Sequence, residues 1–407
     1  MFSVTQSVTG RQEPGFPPEH QDVVPVLKPL LPDEAALRPL LREIDASRRY
    51  ANHGPLLQRL EDRLCRHFDR PAGTVAAFAN GTAALTAALG AALGAPPAAP
   101  PAAGERTGRL CLMPSWTFVA TPAAAMAAGL VPHFVDVAPD SWAPDPERLR
   151  ARTDLDRVAA ILLVLPFGAP LDLAAWERLS AETGIPVVVD AAAGFDALGS
   201  CGLSSSRLQM VVSLHATKAL GVGEGGLLLD GDGARMEWAR RLGNFGFLGS
   251  PCAELPGINA KMAEHAAAVG LAALDGWTAR RGRLAALARG YRGDLAGIAG
   301  VEPAPGFGGD AVSSSCCVLT PLPALRLAAA LEGRGIETRR WWQSGCHAHP
   351  AFAGCPRDPL PVTEDLAARC LGLPFFPDLT DAQRRRVADA LRLCLDEAGA
   401  AASREAS

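Results

Sequence analysis

The stretch Ser213–Gly226, SLHATKALGVGEGG, carries a G-x-G-x-x-G spacing at Gly221, Gly223 and Gly226. A dinucleotide fingerprint needs a strand directly before the glycines and a helix directly after, so that the helix N-terminus meets the pyrophosphate. Here LLLD follows, a short strand signal ending in GDG, and the preceding strand candidate MVVSLH is separated from the glycines by ATKAL. The spacing is not a Rossmann turn. What the stretch does place is Lys218, in a turn between two buried strands with small residues on either side. As an ammonium such a lysine loses hydration, whereas as an imine with a carbonyl cofactor it is neutral or shares a delocalised charge. Read alone, the segment is also satisfied by an ordinary surface-loop lysine.

Outward from this turn, short apolar runs alternate with helical segments: GTVAAFA, RLCLMP, VPHFVDV, VAAILLVLP, PVVVDAA, MVVSLH and GGLLLD, spaced by TAALTAALGAAL, TPAAAMAAGL and LAAWERLSAET. Runs apolar on both faces, spaced by helices, describe an α/β architecture with a parallel or mixed sheet covered on both sides. Residues 1–30 are Pro-rich and aperiodic, and the segment LPDEAALRPLLREIDASRRY that follows carries helical spacing behind an acidic first turn. Residues 95–108, APPAAPPAAGERTG, read as an exposed loop because their prolines fit inside no element. A long Ala-rich helix is expected from Met262 to Leu295. A smaller α+β unit then has strand candidates at SSSCCVLTPL and GIETRRWW and a last helix at DAQRRRVADALRLCLDEA. The expected division is an N-terminal arm over 1–40, a large domain over 41–295 and a small C-terminal domain over 296–407.

With 407 residues, 48% hydrophobic side chains and a formal charge of −4, the chain can bury a sizeable core and has no basic field for nucleic acid. The N-terminus has no apolar core behind a basic start, and no stretch keeps 18 apolar residues free of charge or Pro. These features predict a cytoplasmic protein with no membrane span. Ten cysteines lie scattered in apolar contexts such as LCLMP and RLCLDE, so reduced, mostly buried thiols are expected.

Imine chemistry on pyridoxal phosphate needs, besides a lysine, a carboxylate at the ring nitrogen, a phosphate cradle, an aromatic plate and exclusion of water. Asp190 ends the apolar run IPVVVD, where a carboxylate stays uncompensated unless a cation such as a pyridinium meets it. It is equally placed to cap a helix over AAAGFDAL. ANGTAALTAAL puts Gly81, Thr82 and Ala83 at a strand-to-helix junction, where free amides, the helix dipole and the Thr82 hydroxyl favour a phosphate; the plainer reading is a capped helix. Ser213 offers one more donor. In PSWTFVATPAAA, Phe118 is placed to stack on a ring, with Trp116 competing, and either can simply be core. Phosphate loop, aromatic, aspartate and lysine follow one another in that order, each after an apolar strand signal.

At this point the sequence resembles the DegT/StrS-type aminotransferases, fold type I enzymes that use pyridoxal phosphate and largely act on keto-sugars. The resemblance runs through NHGPLLQRLE, NGTAAL, MPSWTFVATPAAAMAAGLVPHFVDV, PFGAPLDL, PVVVDAA, SLHATKALGVGEGG, GINAKMAEHAAAVGLAAL, CHAHPAF and LPFFPDLT. It implies Lys218 as the imine-forming lysine, Asp190 as partner of the ring nitrogen, Phe118 as the stacking ring, and Gly81, Thr82, Ala83 and Ser213 around the phosphate. Asn259 in GINAKM matches an asparagine that reaches across a dimer interface, which implies a homodimer with shared active sites. His347 matches a family histidine near the substrate, and Arg339 comes from the smaller domain that closes over the site. The implied activity is amino transfer from glutamate or glutamine to a nucleotide-linked keto-deoxysugar or related polyol. One departure is Ala193, where relatives carry Gln or His toward the cofactor's phenolic oxygen; it motivates a lyase acting on an amino acid as the alternative. A non-catalytic regulatory relative is the third class. Lys218 argues against the dehydratase branch, which has His there. Cys346, His347, His349 and Cys355 fit no zinc spacing, so no metal is expected, and Trp341 and Trp342 read as packing.

Overall fold

The computed structural model describes residues 23–94, 109–247, 249 and 251–405. The start of the arm and the 95–108 loop lie outside the described residues. Seven of the apolar runs pair into one sheet: β1 (Val75–Phe78), β2 (Leu110–Pro114), β3 (Val131–Val135), β4 (Val158–Val164), β5 (Val187–Asp190), β6 (Gln209–Ser213) and β7 (Gly226–Leu229). Their order is β1-β7-β6-β5-β4-β2-β3. β7 runs antiparallel to both β1 and β6, and the remaining neighbours are parallel. This is the mostly parallel, helix-covered sheet of fold type I.

Alternation explains why the runs are apolar at every position. Ala77, Leu112, Leu163, Val189, Val212 and Leu227 feed one core, while Phe78, Met113, Leu162, Val188, Val211 and Leu228 feed the other. Successive strand side chains point to opposite faces, and here each face meets helices. The second face takes the Gly81–Leu93, Ala120–Ala127 and Gly233–Leu242 helices through Ala84, Ala88, Ala124, Ala125 and Ala239. Alanine combines the best helix propensity with the smallest apolar side chain, so these helices lie close against the sheet. Asp190 and Ser213 stand two residues beyond Val188 and Val211, so period-2 alternation turns them to this same face at the carboxyl ends of their strands.

Edge strand β1 is covered without a further strand. The Ala77 N–H donates to Glu61 Oε1 at 2.8 Å, Arg240 donates to the Val75 carbonyl at 2.9 Å, and the Ala79 N–H donates to the Ala260 carbonyl at 2.7 Å. Those contacts blunt an edge otherwise open to pairing.

A second, antiparallel sheet comprises β8 (Glu302–Pro303), β9 (Cys316–Leu319) and β10 (Cys370–Leu373), in the order β10-β9-β8. SSSCCVLTPL thus supplies a strand, whereas GIETRRWW does not; it makes only single bridges, Val24 with Ile336 and Arg339 with Gly372. The tryptophans end the pairing. A Cβ on Gly372 would lie 2.4 Å from Trp341 Nε1, and Trp342 turns away to stack on Phe167 at 4.1 Å between ring centroids. The stretch expected as one helix from Met262 to Leu295 is two, Glu264–Asp275 and Trp277–Leu295, parted at Gly276. Cys65, Cys111, Cys316, Cys317, Cys346, Cys370 and Cys394 are buried thiols outside any disulfide. Among the described residues no helix is long and apolar enough to cross a membrane, and no group of His, Cys, Asp and Glu is arranged to hold a metal ion.

Candidate active site

The site is built at the carboxyl ends of the parallel strands, where open α/β sheets leave their ligand crevice. Asp190, the last residue of β5, is only 4% exposed. Its Oδ2 accepts from the Thr121 hydroxyl at 2.8 Å and its Oδ1 from the Ala192 N–H at 3.2 Å. The Thr121 oxygen is in turn 2.7 Å from that of Thr117. Burial pushes the Asp190 carboxyl above the usual carboxylate range; Thr121, the Ala192 amide and the charge of Lys218 pull it back. A buried carboxylate with room for one more partner is a seat for a cation.

Lys218 faces that carboxylate from the β6–β7 connection. Burial holds its ammonium below the ordinary lysine range, and Asp190 opposes the shift. The turn is fastened at both ends: Lys218 N–H to the His215 carbonyl at 2.9 Å, Ala216 N–H to the Gly223 carbonyl at 2.8 Å, and Val222 N–H to the Leu214 carbonyl at 2.8 Å. The glycine spacing now has a reason. A Cβ on Gly221 would sit 2.8 Å from the Ala216 carbonyl oxygen, so only glycine lets the turn fold back on itself. A Cβ on Gly226 would sit 2.4 Å from the Asn80 carbonyl oxygen and 2.7 Å from the Gly81 nitrogen, so only glycine lets the β1 loop lie across β7.

That loop and Ser213 form one pocket edge. A Cβ on Gly81 would lie 3.2 Å from Ser213 Cβ and 3.6 Å from its hydroxyl. Ser213 Oγ accepts the His215 N–H at 3.2 Å, which leaves its own proton to donate. Asn80 caps the Gly81–Leu93 helix by accepting the Ala83 N–H at 2.8 Å. This corrects the expectation that the Ala83 amide is free for a phosphate, because the cap already satisfies it. The Gly81 and Thr82 amides and the Thr82 hydroxyl have no acceptor among the described residues, which leaves them, with the Ser213 hydroxyl, as donors free for an anion. Amides at a helix N-terminus beside a hydroxyl suit a phosphate, and the seat at Asp190 suits a protonated ring nitrogen, so these residues fit pyridoxal phosphate.

Of the two aromatic candidates, Trp116 is 2% exposed and packs edge-on against Trp142 and Trp342. Phe118 is 59% exposed and keeps a free ring face. Ala193 offers only a methyl group, and its carbonyl is crowded by Gly168, where a Cβ would approach to 2.3 Å. Asn259 is exposed beside Ala260, whose carbonyl receives the Ala79 amide at the entrance to the Asn80–Gly81 loop.

His347 joins the rim through the turn after β2. Its Nδ1 lies 2.7 Å from Ser115 Oγ, the same oxygen accepts its backbone N–H at 3.1 Å, and the neighbouring Cys346 thiol donates to the Thr117 carbonyl at 3.2 Å. Burial first, then Arg357, holds the His347 imidazole below its ordinary pKa. Arg339 is exposed with its guanidinium 4.9 Å over the Trp341 ring, and no contact joins it to the Asp190 group. Thr117, Thr121 and Ser115 escaped the reading of the sequence. A hydroxyl three residues after Phe118 at a helix start was the available signal for Thr121.

The model of the DegT/DnrJ/EryC1/StrS aminotransferase family matches residues 33–392. Protein Rv3402c of Mycobacterium tuberculosis is 33% identical over 380 residues, spanning 91% of this chain and 89% of its own. A dTDP-3-amino-3,4,6-trideoxy-alpha-D-glucose transaminase of Streptomyces venezuelae is 33% identical over 297 residues, 71% of this chain and 77% of its own. Among solved structures, a putative PLP-dependent aminotransferase from Bacillus cereus superposes with a TM-score of 0.82 at 29% identity, covering 91% of this chain and 99% of that one. DesI, solved in the presence of its TDP-sugar product, superposes with a TM-score of 0.80 at 31% identity, covering 95% and 96%.

Proposed function

The chain belongs to the DegT/DnrJ/EryC1/StrS aminotransferase family and is a pyridoxal phosphate-dependent aminotransferase, and from that premise we propose that it carries an amino group from glutamate or glutamine to the keto carbon of a nucleotide-linked deoxysugar or related polyol. The observation that carries the reading is the buried Asp190 within charge reach of Lys218, at the same strand ends where the Gly81 loop meets Ser213. The names of the Streptomyces transaminase and of the DesI complex support the sugar acceptor.

Bound pyridoxal phosphate supplies an aldehyde that condenses with amines and a ring that accepts the electron pair of a broken C–H bond. The chain's residues do the rest. Asp190, whose ionised form is favoured by Thr121 and the Ala192 amide against its burial, would keep a proton on the ring nitrogen. Lys218 Nζ, its affinity for protons lowered by burial, would take the proton from the substrate carbon and deliver it to the cofactor's C4′ carbon. Gly81, Thr82 and Ser213 hold the phosphate, and Phe118 covers a ring face. In this reading the chain works in the cytoplasm as a homodimer, with the exposed Asn259 reaching the partner's phosphate, residues 41–295 holding the cofactor and residues 296–407 bringing His347 and Arg339 to the substrate.

The test follows the amine. Incubation with glutamate or glutamine alone is expected to convert the bound cofactor to stoichiometric pyridoxamine phosphate, and a dTDP-linked keto-deoxysugar to convert it back. Lys218→Ala is expected to abolish both the visible absorbance of the lysine-bound cofactor and turnover. Absence of pyridoxamine phosphate with either donor refutes the proposed donors, and its persistence with every keto-sugar refutes the acceptor class.

A further inference from the structure

Among the described residues two arginines are more than nine-tenths buried, Arg384 and Arg280, at 7% and 8% exposure. Arg384 is paired with Asp294 and Asp381. Arg280, on the first turn of the Trp277–Leu295 helix, has no ion pair and no side-chain hydrogen bond among the described residues, and its Nε is sealed from solvent without an acceptor. Its sequence neighbour shows the usual arrangement, Arg281 Nε donating to Asp196 at 2.7 Å. The other charges acting on Arg280 are Arg283, which repels it, and Asp378, which attracts it without touching it.

A guanidinium does not deprotonate in a protein, so burial without an acceptor leaves its desolvation uncompensated. Arg280 lines a pocket whose other polar groups are Lys28, Thr217, Lys218 and Ser314, walled by Phe375 and Phe376. Lys28 is exposed and in no ion pair among the described residues. No carboxylate lines the pocket. None of Asp190, Ser213, Gly81, Thr82 or Phe118 lines it either, so it lies on the other side of the Ala216–Ala219 turn from the Asn80–Gly81 loop and meets the cofactor site only at Lys218.

We propose that this pocket is a second anion site, in which Arg280, Lys28 and Ser314 bind a small oxyanion, a carboxylate or a phosphate, against the turn that carries Lys218. Charge-assisted bonds from a planar guanidinium are the fitting recognition for such a group. This goes beyond the proposed reaction and does not depend on its donor or acceptor.

Holoenzyme saturated with pyridoxal phosphate, so that the cofactor's own phosphate position is filled, is titrated with inorganic phosphate in one series and succinate in another. Chloride keeps ionic strength constant. At least one anion is expected to bind with one site per chain and to raise the unfolding midpoint. Arg280→Met is expected to weaken that binding at least about tenfold, and in anion-free buffer to unfold at an equal or higher urea concentration than wild type, because an unpaired buried charge has been removed. The anion that saturates tells a phosphorylated ligand from a carboxylate. If Arg280→Met does not fold, Lys28→Met and Ser314→Ala carry the test, each with an expected several-fold loss. Saturation by neither anion, or equal affinity in wild type and variants, overturns the proposal.

Discussion

Gly226→Ala tests the cofactor cradle at the point where it is most tightly packed. The added methyl group would meet three backbone atoms, the Asn80 carbonyl oxygen and carbon at 2.4 and 2.5 Å and the Gly81 nitrogen at 2.7 Å. Backbone cannot swing aside like the end of a side chain. To restore ordinary contact near 3.5 Å, the Asn80–Gly81 loop must withdraw from β7 by roughly 1 Å. Overpacking of this kind lowers stability by about 1–3 kcal/mol. The same withdrawal carries the Gly81 and Thr82 amides away from Ser213, and losing one hydrogen bond to a charged phosphate costs about 1.5–3 kcal/mol. Affinity for pyridoxal phosphate should therefore fall by about one to two orders of magnitude. The measurement is a titration of apoprotein with cofactor, followed by visible absorbance, with folding checked by urea denaturation. Gly233→Ala, in open space at the start of the Gly233–Leu242 helix, is the control and should leave affinity unchanged. A folded Gly226→Ala variant with wild-type affinity would refute the placement of the phosphate on this loop.

Two titrations of opposite sign follow from burial. In apoprotein, Asp190 has a folded pKa above its unfolded 3.8, so the stability linked to it is present at acid pH and lost as pH rises through the folded value. Asp190→Asn should remove that loss, giving apoprotein that gains on wild type from pH 4 toward neutrality in urea midpoints, while its cofactor affinity drops; parallel pH profiles would contradict this. His347 has a folded pKa below 6.5, so its linked stability is present above pH 6.5 and lost as pH falls through the folded value. His347→Gln should flatten the acid side of the stability profile, and an unchanged slope there would show that this histidine titrates freely.

The sheet was legible because each of its strands is buried on both faces, which leaves an apolar run that turns and helices punctuate. Lys218 and Asp190 stood out for a related reason, a charge set among buried apolar runs, although the letters alone also suited a surface loop and a helix cap. Thr121 and Thr117 were not, because a hydroxyl in TFVATP looks the same whether it caps a helix or supports a carboxylate donated by another strand. The Ala83 amide was misread for want of the Asn80 side chain's direction, as the same Asn-Gly-Thr letters serve a cap and a phosphate loop alike. GIETRRWW carries strand propensity, yet the indoles of Trp341 and Trp342 find better burial against Gly372 and Phe167 than a ladder offers. Aspartate-glycine at 275–276 marked the helix break that the apolar spacing ran across.

β1 has a single strand neighbour, and that neighbour is β7. On a ribosome, Val75–Phe78 therefore emerges long before Gly226–Leu229 and waits unzipped while most of the large sheet is made. A nascent chain stalled anywhere between them holds an apolar ribbon with nothing to mate with, the kind of species that chaperones retain and that associates with its own copies. On the proposed placement of the phosphate, capture of the vitamin-derived ligand has to wait too, since the loop assigned to it rides on that unmated ribbon. Cofactor loading is thus a late event in biosynthesis, and truncated chains ending before Gly226 should bind none.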